Sequence, residues 1–249
     1  MGHTDCYVAY PLRSMKKNNS NSWNTFFSRQ ESERDSRLGV KSTEYIISKY
    51  YQLYQSAFSH EKRLSFLELG AGRGEITQEI LKRRPHFLNR YVVTELTASG
   101  VKALKHLSIP VKRMDAQRLT FKNSSFDAVV AFDVMHHVPD PRKMGNEMAR
   151  VAKKHIFLIE ANGLSLARKI LEQTKWYKTM GENSYFPWQY LSFFPKNAFS
   201  KLTIRPFLFV PPNIPDSLAG IIPLVSETLE RIPIINWQCS GVVIHGVKK

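Results

Sequence analysis

The sequence predicts an α/β fold in which a doubly wound, mostly parallel sheet of seven strands is covered by helices on both faces. Three observations predict it. From Leu64 onward, short apolar runs alternate with amphipathic stretches, the texture of successive β-α units. Those runs are near-continuously apolar, as strands covered on both faces must be. The first of them ends in a glycine-rich turn that opens a helix. With 249 residues, 43% of them hydrophobic, the chain has material for a full core, and 12 glycines and 13 prolines without a repeat exclude a collagen-like chain.

The elements follow in order. Residues 1–22 are polar and include Lys16-Lys17-Asn18-Asn19-Ser20-Asn21-Ser22, the composition of a flexible tail. Residues 23–63 form a helical cap, because Tyr45, Ile46, Tyr50, Leu53 and Tyr54 recur at helical spacing over one or two helices. The main domain, 64–249, then lays down strands at Leu64–Leu69, Tyr91–Leu96, Val111–Met114, Ala128–Phe132 and His155–Ile159. Between them, Glu75–Arg84 carries Ile76, Ile80 and Leu81 on one side and is stopped by Pro85. Asp140-Pro141 supplies an N-cap and a first-turn proline for a helix to Ala152. Beyond Asn162 a helix from Leu164 to about Tyr177, the aromatic stretch Tyr185–Phe194 and a strand Leu202–Val210 are expected. A helical segment from Asp216 to about Ile232, interrupted by Pro223, leads to a last strand, Ser240–Val247. The elements at about 163–200 and 211–236 read as a lid placed over the ligand crevice before that last strand.

Charge and cysteine content bound the partners. Thirty-six Lys and Arg against 21 Asp and Glu give +15, which suggests an anionic partner. The excess is spread along the chain with no basic block, so nucleic acid is disfavoured, and no RNA-binding motif accompanies it. Cys6 and Cys239 stand near opposite ends and support neither a disulfide framework nor a zinc cluster, so the expected compartment is the cytoplasm. The longest apolar run, Leu218–Val225, is too short to span a bilayer. Peripheral contact with a membrane stays open.

The chemistry starts at Glu68-Leu69-Gly70-Ala71-Gly72-Arg73-Gly74-Glu75. A dinucleotide fingerprint needs a third glycine where Glu75 stands, and a carboxylate there would repel a pyrophosphate at the helix N-terminus. A Gly-Lys-Ser/Thr ending is also missing, so the loop is not a phosphate cradle of that type. A nucleoside ligand without phosphate fits.

Leu67–Gly74 resembles the first motif of class I S-adenosylmethionine-dependent methyltransferases, and the residues after it continue the likeness. Phe126–Pro141, with His136-His137-Val138-Pro139-Asp140, is similar to the corresponding segment in the group that includes the ubiquinone and menaquinone methyltransferases. The resemblance spans about Leu64 to Asn162 and implies a Rossmann-like fold with S-adenosyl-L-methionine as cofactor. It implies that Glu68, Gly70, Ala71, Gly72 and Gly74 surround a cofactor bearing a sulfonium and an ammonium, which acidic residues suit. It implies further that Glu95 meets the ribose hydroxyls, that Asp115 and Ala116 meet the adenine, and that Asp133 lies beside the cofactor at the end of strand four.

For the reaction itself His137, with His136 beside it, is the candidate side chain, since histidine titrates in the useful range and both lie just past strand four. Capping of the loop is the alternative role for either. Asp133, Glu160 and Asn162 offer oxygen ligands, yet their spacing does not match the adjacent Asp-Asn pair of magnesium-dependent relatives, so no metal is expected. The aromatic stretch Tyr185–Phe194 and the apolar Leu218–Ile222 have two readings, core or a pocket for a small, apolar or lipid-linked acceptor. Trp23–Phe27 can close the same crevice. The expected activity is transfer of a methyl group to oxygen, carbon or nitrogen of such an acceptor. An RNA methyltransferase and a methyltransferase-like protein without turnover are the alternatives.

Overall fold

A computed structural model describes residues 40–174, 184–209, 217 and 219–249. The expected tail, Trp23–Phe27, Cys6 and Pro211–Pro215 lie outside the described residues. The first described element, α1 (Val40–Phe58), is a single helix. It buries Ile46, Tyr50, Leu53, Tyr54 and Phe58 against one face of the sheet. The Tyr54 and Phe58 rings lie 5.0–6.2 Å from Phe66, Phe87 and Phe157, within the range where edge-on and tilted aromatic pairs are attractive.

The sheet has the order β3-β2-β1-β4-β5-β7-β6. Its strands are β1 (Leu64–Leu69), β2 (Leu88–Glu95), β3 (Val111–Arg113), β4 (Phe126–Phe132), β5 (Ala152–Ala161), β6 (Phe199–Phe207) and β7 (Gly241–Lys248). The first five pair in parallel, while β7 runs antiparallel to both β5 and β6. All seven expected strands are present, within a few residues of their expected bounds. The order of strands reverses between β1 and β4, so the carboxyl ends of those two strands flank the crevice where such sheets take ligands.

Helices α2 (Glu75–Arg83), α3 (Ala98–Ala103) and α4 (Pro141–Val151) complete the β-α units. Asp140 caps α4 through the amides of Arg142 and Lys143, at 3.1 and 3.2 Å, with Pro141 in the first turn, as its sequence prescribes. Beyond β5 come α5 (Leu166–Leu171), α6 (Pro187–Ser192) and α7 (Ile222–Arg231). Two expectations need correction here. The helix expected from Leu164 is described only over Leu166–Leu171. Pro223 does not interrupt α7 but occupies its first turn, where the missing N–H costs no hydrogen bond. A one-turn 3-10 helix, Ala219–Ile221, precedes it. Among the described residues, no helix is long and apolar enough to cross a membrane.

Candidate active site

The turn between β1 and α2 is built from residues that accept a left-handed backbone. Gly70, Gly72 and Gly74 have φ of +64°, +58° and +83°, a region that L side chains rarely adopt. The turn hangs from β2, since the amides of Gly70 and Ala71 donate to the Thr94 carbonyl at 2.9 and 3.2 Å, and Gly74 donates to Ala71 at 2.8 Å. A Cβ on Gly70 would stand 2.9 Å from a methyl of Val134, so the glycine turn and the loop after β4 touch across the switch point.

Glu95, the last residue of β2, leans over the same turn. Its Oε2 accepts from the Gly72 amide at 3.0 Å and its Oε1 from Leu96 at 2.7 Å, so burial raises its proton affinity while the amides oppose that rise. Gly100 on α3 makes the room, because a Cβ there would lie 2.4 Å from Glu95 Cγ. Asp115, just after β3, accepts from the Gln117 amide at 2.8 Å, and Ala116 packs against the core beside it.

Glu68 is turned the other way. On β1 its side chain shares a face with Phe66, and its Oε2 accepts from Thr77 on α2 at 2.7 Å and from the Tyr91 phenol on β2 at 2.9 Å. Burial pushes this carboxyl up to about 7. The sequence places Glu68 beside the glycines; the structure uses its hydrogen bonds to pin α2 and β2 behind them, since alternation along β1 aims it beneath the helix.

The loop after β4 is shaped by two acids. Asp133 has a φ of +53°, uncommon for a non-glycine residue and a mark of a backbone held by its surroundings. Its Oδ2 accepts from the Tyr50 phenol of α1 at 2.8 Å. Burial first and Glu160 second push the Asp133 carboxyl up to about 7, against the Tyr50 hydrogen bond and the positive charge of Arg168. Glu160 is wholly buried at the end of β5 and accepts from the amides of Val134, Met135 and His136, at 3.2, 2.8 and 3.4 Å. Its Oε2 also meets His136 Nδ1 at 2.6 Å. Burial pushes Glu160 up to about 8 and keeps the His136 ring neutral, its pKa well below the ordinary histidine value.

That arrangement bears on His136. Its ring is fully buried and engaged with Glu160, and burial lowers its pKa well below the ordinary histidine value. His137, its ring centroid 3.9 Å from that of His136, is also buried. Asn162 is likewise committed. Its Nδ2 donates to the Trp237 and Cys239 carbonyls at 2.9 and 2.8 Å, and its Oδ1 accepts from Leu164 at 3.0 Å.

A glycine turn, an acid ending β2 and a shaped loop after β4 at one switch point are what a phosphate-free nucleoside cofactor requires. Residues 67–159 match the model of the methyltransferase domain family. Those residues are a methyltransferase domain, and the fold that carries them is the Rossmann-like class I methyltransferase fold. Among curated proteins the chain is 28% identical, over 172 residues, to a phosphatidylethanolamine N-methyltransferase of Cereibacter sphaeroides, a match covering 62% of this chain and 75% of that one. Among solved structures, an S-adenosylmethionine-dependent methyltransferase of Thermotoga maritima superposes with a TM-score of 0.60 at 15% identity, covering 92% of this chain and 97% of the other. Magnesium protoporphyrin IX methyltransferase of Synechocystis PCC 6803, solved with S-adenosylhomocysteine, gives 0.59 at 13% identity, covering 95% and 100%.

Two residues of this methyltransferase's crevice escaped the sequence. Tyr50 lies on a helix whose period shows only that it is buried, with nothing to reveal an acid 83 positions away as its partner. Gly100 sits inside a helix, where a glycine costs about 1 kcal/mol. That misplaced glycine was the available signal. The aromatic stretch divides between its two readings: Tyr190 and Phe194 are core, with the Tyr190 hydroxyl donating to Ala161 at 2.9 Å, whereas Trp188 is exposed and stacks on Phe186 at 4.8 Å.

Proposed function

We propose that this methyltransferase acts on the amine nitrogen of a small or lipid-linked acceptor, working from the cytoplasm. The observation that carries the reading is the Asp133 carboxyl, held by Tyr50 at the end of β4 next to Val134, the residue that meets Gly70, with its proton affinity near neutrality. S-adenosylmethionine supplies an electrophilic methyl group on a positively charged sulfur. In this reading the backbone of Gly70, Ala71, Gly72 and Gly74 cradles it, Glu95 takes the ribose hydroxyls, and Asp115 with Ala116 takes the adenine. The positive φ of the three glycines supports that cradle, because it lets the backbone make a tight turn that L side chains rarely adopt.

Methyl transfer is an in-line displacement whose acceleration comes chiefly from positioning and exclusion of water. An amine acceptor adds one requirement, since an ammonium has no lone pair. Asp133 in its carboxylate form attracts the ammonium and takes its proton, which frees the lone pair to form the new N–C bond. A carboxyl of ordinary acidity would be a poor base for this step, and one near 7 is matched to it. We assign Asp133 to the acceptor, with His137 forming the wall and His136 positioning the loop. The similarity to a protein named as a phosphatidylethanolamine N-methyltransferase points to the same acceptor class.

Incubation with methyl-labelled cofactor and either phosphatidylethanolamine or phosphoethanolamine tests the reading. Label in the amine product is expected, and Asp133→Asn should lower kcat by about a hundredfold, the lower end of what a positioned base contributes. Label appearing only in phenolic or quinone-like acceptors defeats the amine assignment.

A further inference from the structure

The part of the chain between β5 and β7 exposes large apolar side chains in one neighbourhood. Leu166 and Ile170 on α5 are 67% and 70% exposed, Trp188 on α6 is 59% exposed, and Ile234 is 84% exposed. Phe186 and Ile235 are partly exposed beside them. Hydrogen bonds and a cation–ring contact join the elements that carry these residues into one surface. The Leu166 amide donates to Gln238 at 3.0 Å, which seats the start of α5 on the turn that follows Ile234. On the other side, Lys169 of the same helix donates to Ser184 at 2.9 Å and holds its ammonium 5.8 Å from the Phe186 ring. Single exposed apolar residues are ordinary; a joined group on adjacent elements marks a contact surface.

The surface starts at the crevice. Gly163, two residues past β5, donates to the Tyr185 carbonyl at 2.9 Å, so α5 and the Phe186–Trp188 stack both leave from the strand end that carries Glu160. Charge favours one occupant. From Asn162 to Lys249 the chain holds 10 Lys and Arg against 5 Asp and Glu, and beside this face two cations of α5, Arg168 at 3.5 Å and Lys169 at 2.9 Å, share the single carboxylate of Glu172. Apolar side chains beside two cations that share one acid, on a segment of net positive charge, match the interface of an anionic bilayer, where rings and aliphatic groups enter the acyl boundary and lysines stay at headgroup level.

We propose that the face formed by Leu166, Ile170, Phe186, Trp188, Ile234 and Ile235 docks on an anionic lipid bilayer and holds the crevice mouth at headgroup depth. The proposal rests on the lipid-linked amine reading and identifies the surface from which that acceptor is drawn. Flotation of the full chain with phosphatidylglycerol–phosphatidylcholine vesicles, and with phosphatidylcholine alone, tests it. The wild-type chain should float with the anionic vesicles and bind the neutral ones at least tenfold less. The double variant L166D/I170D should lose about tenfold or more of the binding, because two charges must then enter the interface. Because both side chains are exposed, stabilisation by S-adenosylhomocysteine should be unchanged in the variant. Equal flotation of wild type and variant overturns the proposal, as does a wild-type chain that does not float. It is overturned too if the wild type sediments as a dimer that the variant dissociates, since a second copy then covers the face. Turnover on soluble phosphoethanolamine separates the two readings. If it is retained while flotation fails, the amine assignment stands and the docking surface falls.

Discussion

The phenol of Tyr50 donates a 2.8 Å hydrogen bond to Asp133, joining the helix before the sheet to the end of its central strand. Burial and the acid beside it raise the Tyr50 pKa well above the ordinary phenol value, so the donor persists throughout the working pH range. Tyr50→Phe removes the hydrogen bond from α1 that favours the Asp133 carboxylate. Asp133 then titrates above its present value of about 7, and the acidic limb of the kcat/KM profile moves to higher pH. The variant should also lose roughly 1–3 kcal/mol of stability, the range for a buried hydrogen-bonded group left without its partner. A pH–rate profile that coincides with the wild type would show that Asp133 does not govern the limb.

Gly100→Ala acts at a distance from the cofactor through Glu95. The new methyl would stand 2.4 Å from Glu95 Cγ, so the carboxylate must leave the Gly72 amide. Helix propensity favours alanine by about 1 kcal/mol, which opposes any general destabilisation. The expected result is about a tenfold weaker affinity for S-adenosylhomocysteine, read by calorimetry. Undiminished affinity would mean that Glu95 does not hold the ribose.

Gly70→Ala combines two penalties, a φ of +64° and a Cβ 2.9 Å from Val134. Left-handed strain costs roughly 1–2 kcal/mol and overpacking about 1–3 kcal/mol. Adding Val134→Ala relieves the second alone. The double variant should therefore regain part of the cofactor affinity lost by the single one in a thermal-shift titration, and full recovery would show that backbone conformation contributes nothing.

Stability should fall as pH rises. Glu68 and Asp133 titrate at about 7 and Glu160 at about 8, whereas in the unfolded chain all three return to the ordinary carboxylate range near 4. Between those limits the folded chain binds more protons than the unfolded one, so ΔG of unfolding declines with pH from about 4 upward until each folded pKa is passed. Thermal unfolding of the ligand-free protein at pH 5.5 and 8.0 is expected to give the higher Tm at 5.5. Glu160→Gln should flatten the dependence, and an unchanged slope would assign it to other groups.

Much of this architecture was legible because a parallel strand covered on both faces leaves an unbroken apolar word, as Leu64–Leu69 and Phe126–Phe132 do. The glycine turn was legible because its backbone requirement is written in residue type. What each acid touches was not. Glu68 and Glu95 look alike as strand-end carboxylates, yet pleat direction sends one under α2 and the other over the turn. His136 read as a titrating group because sequence carries no burial, and its partner Glu160 is 24 positions away. The apolar run Leu218–Val225 read as lid core or pocket, while Leu224 is 68% exposed, since a short run does not reveal which side faces inward.

Strand β7 lies between β5 and β6 although the chain makes β6 first. During synthesis β5 therefore keeps an unpaired edge, and β6 has no sheet to join, until residues 241–248 arrive and zip both sides at once. Nascent chains arrested before that point would expose a long apolar edge, the kind of surface that chaperones cover and aggregates exploit. The same closing event brings the Trp237 and Cys239 carbonyls to Asn162 at the tip of β5. The contacts at the tip of β5, next to Glu160, are thus completed only when the sheet is.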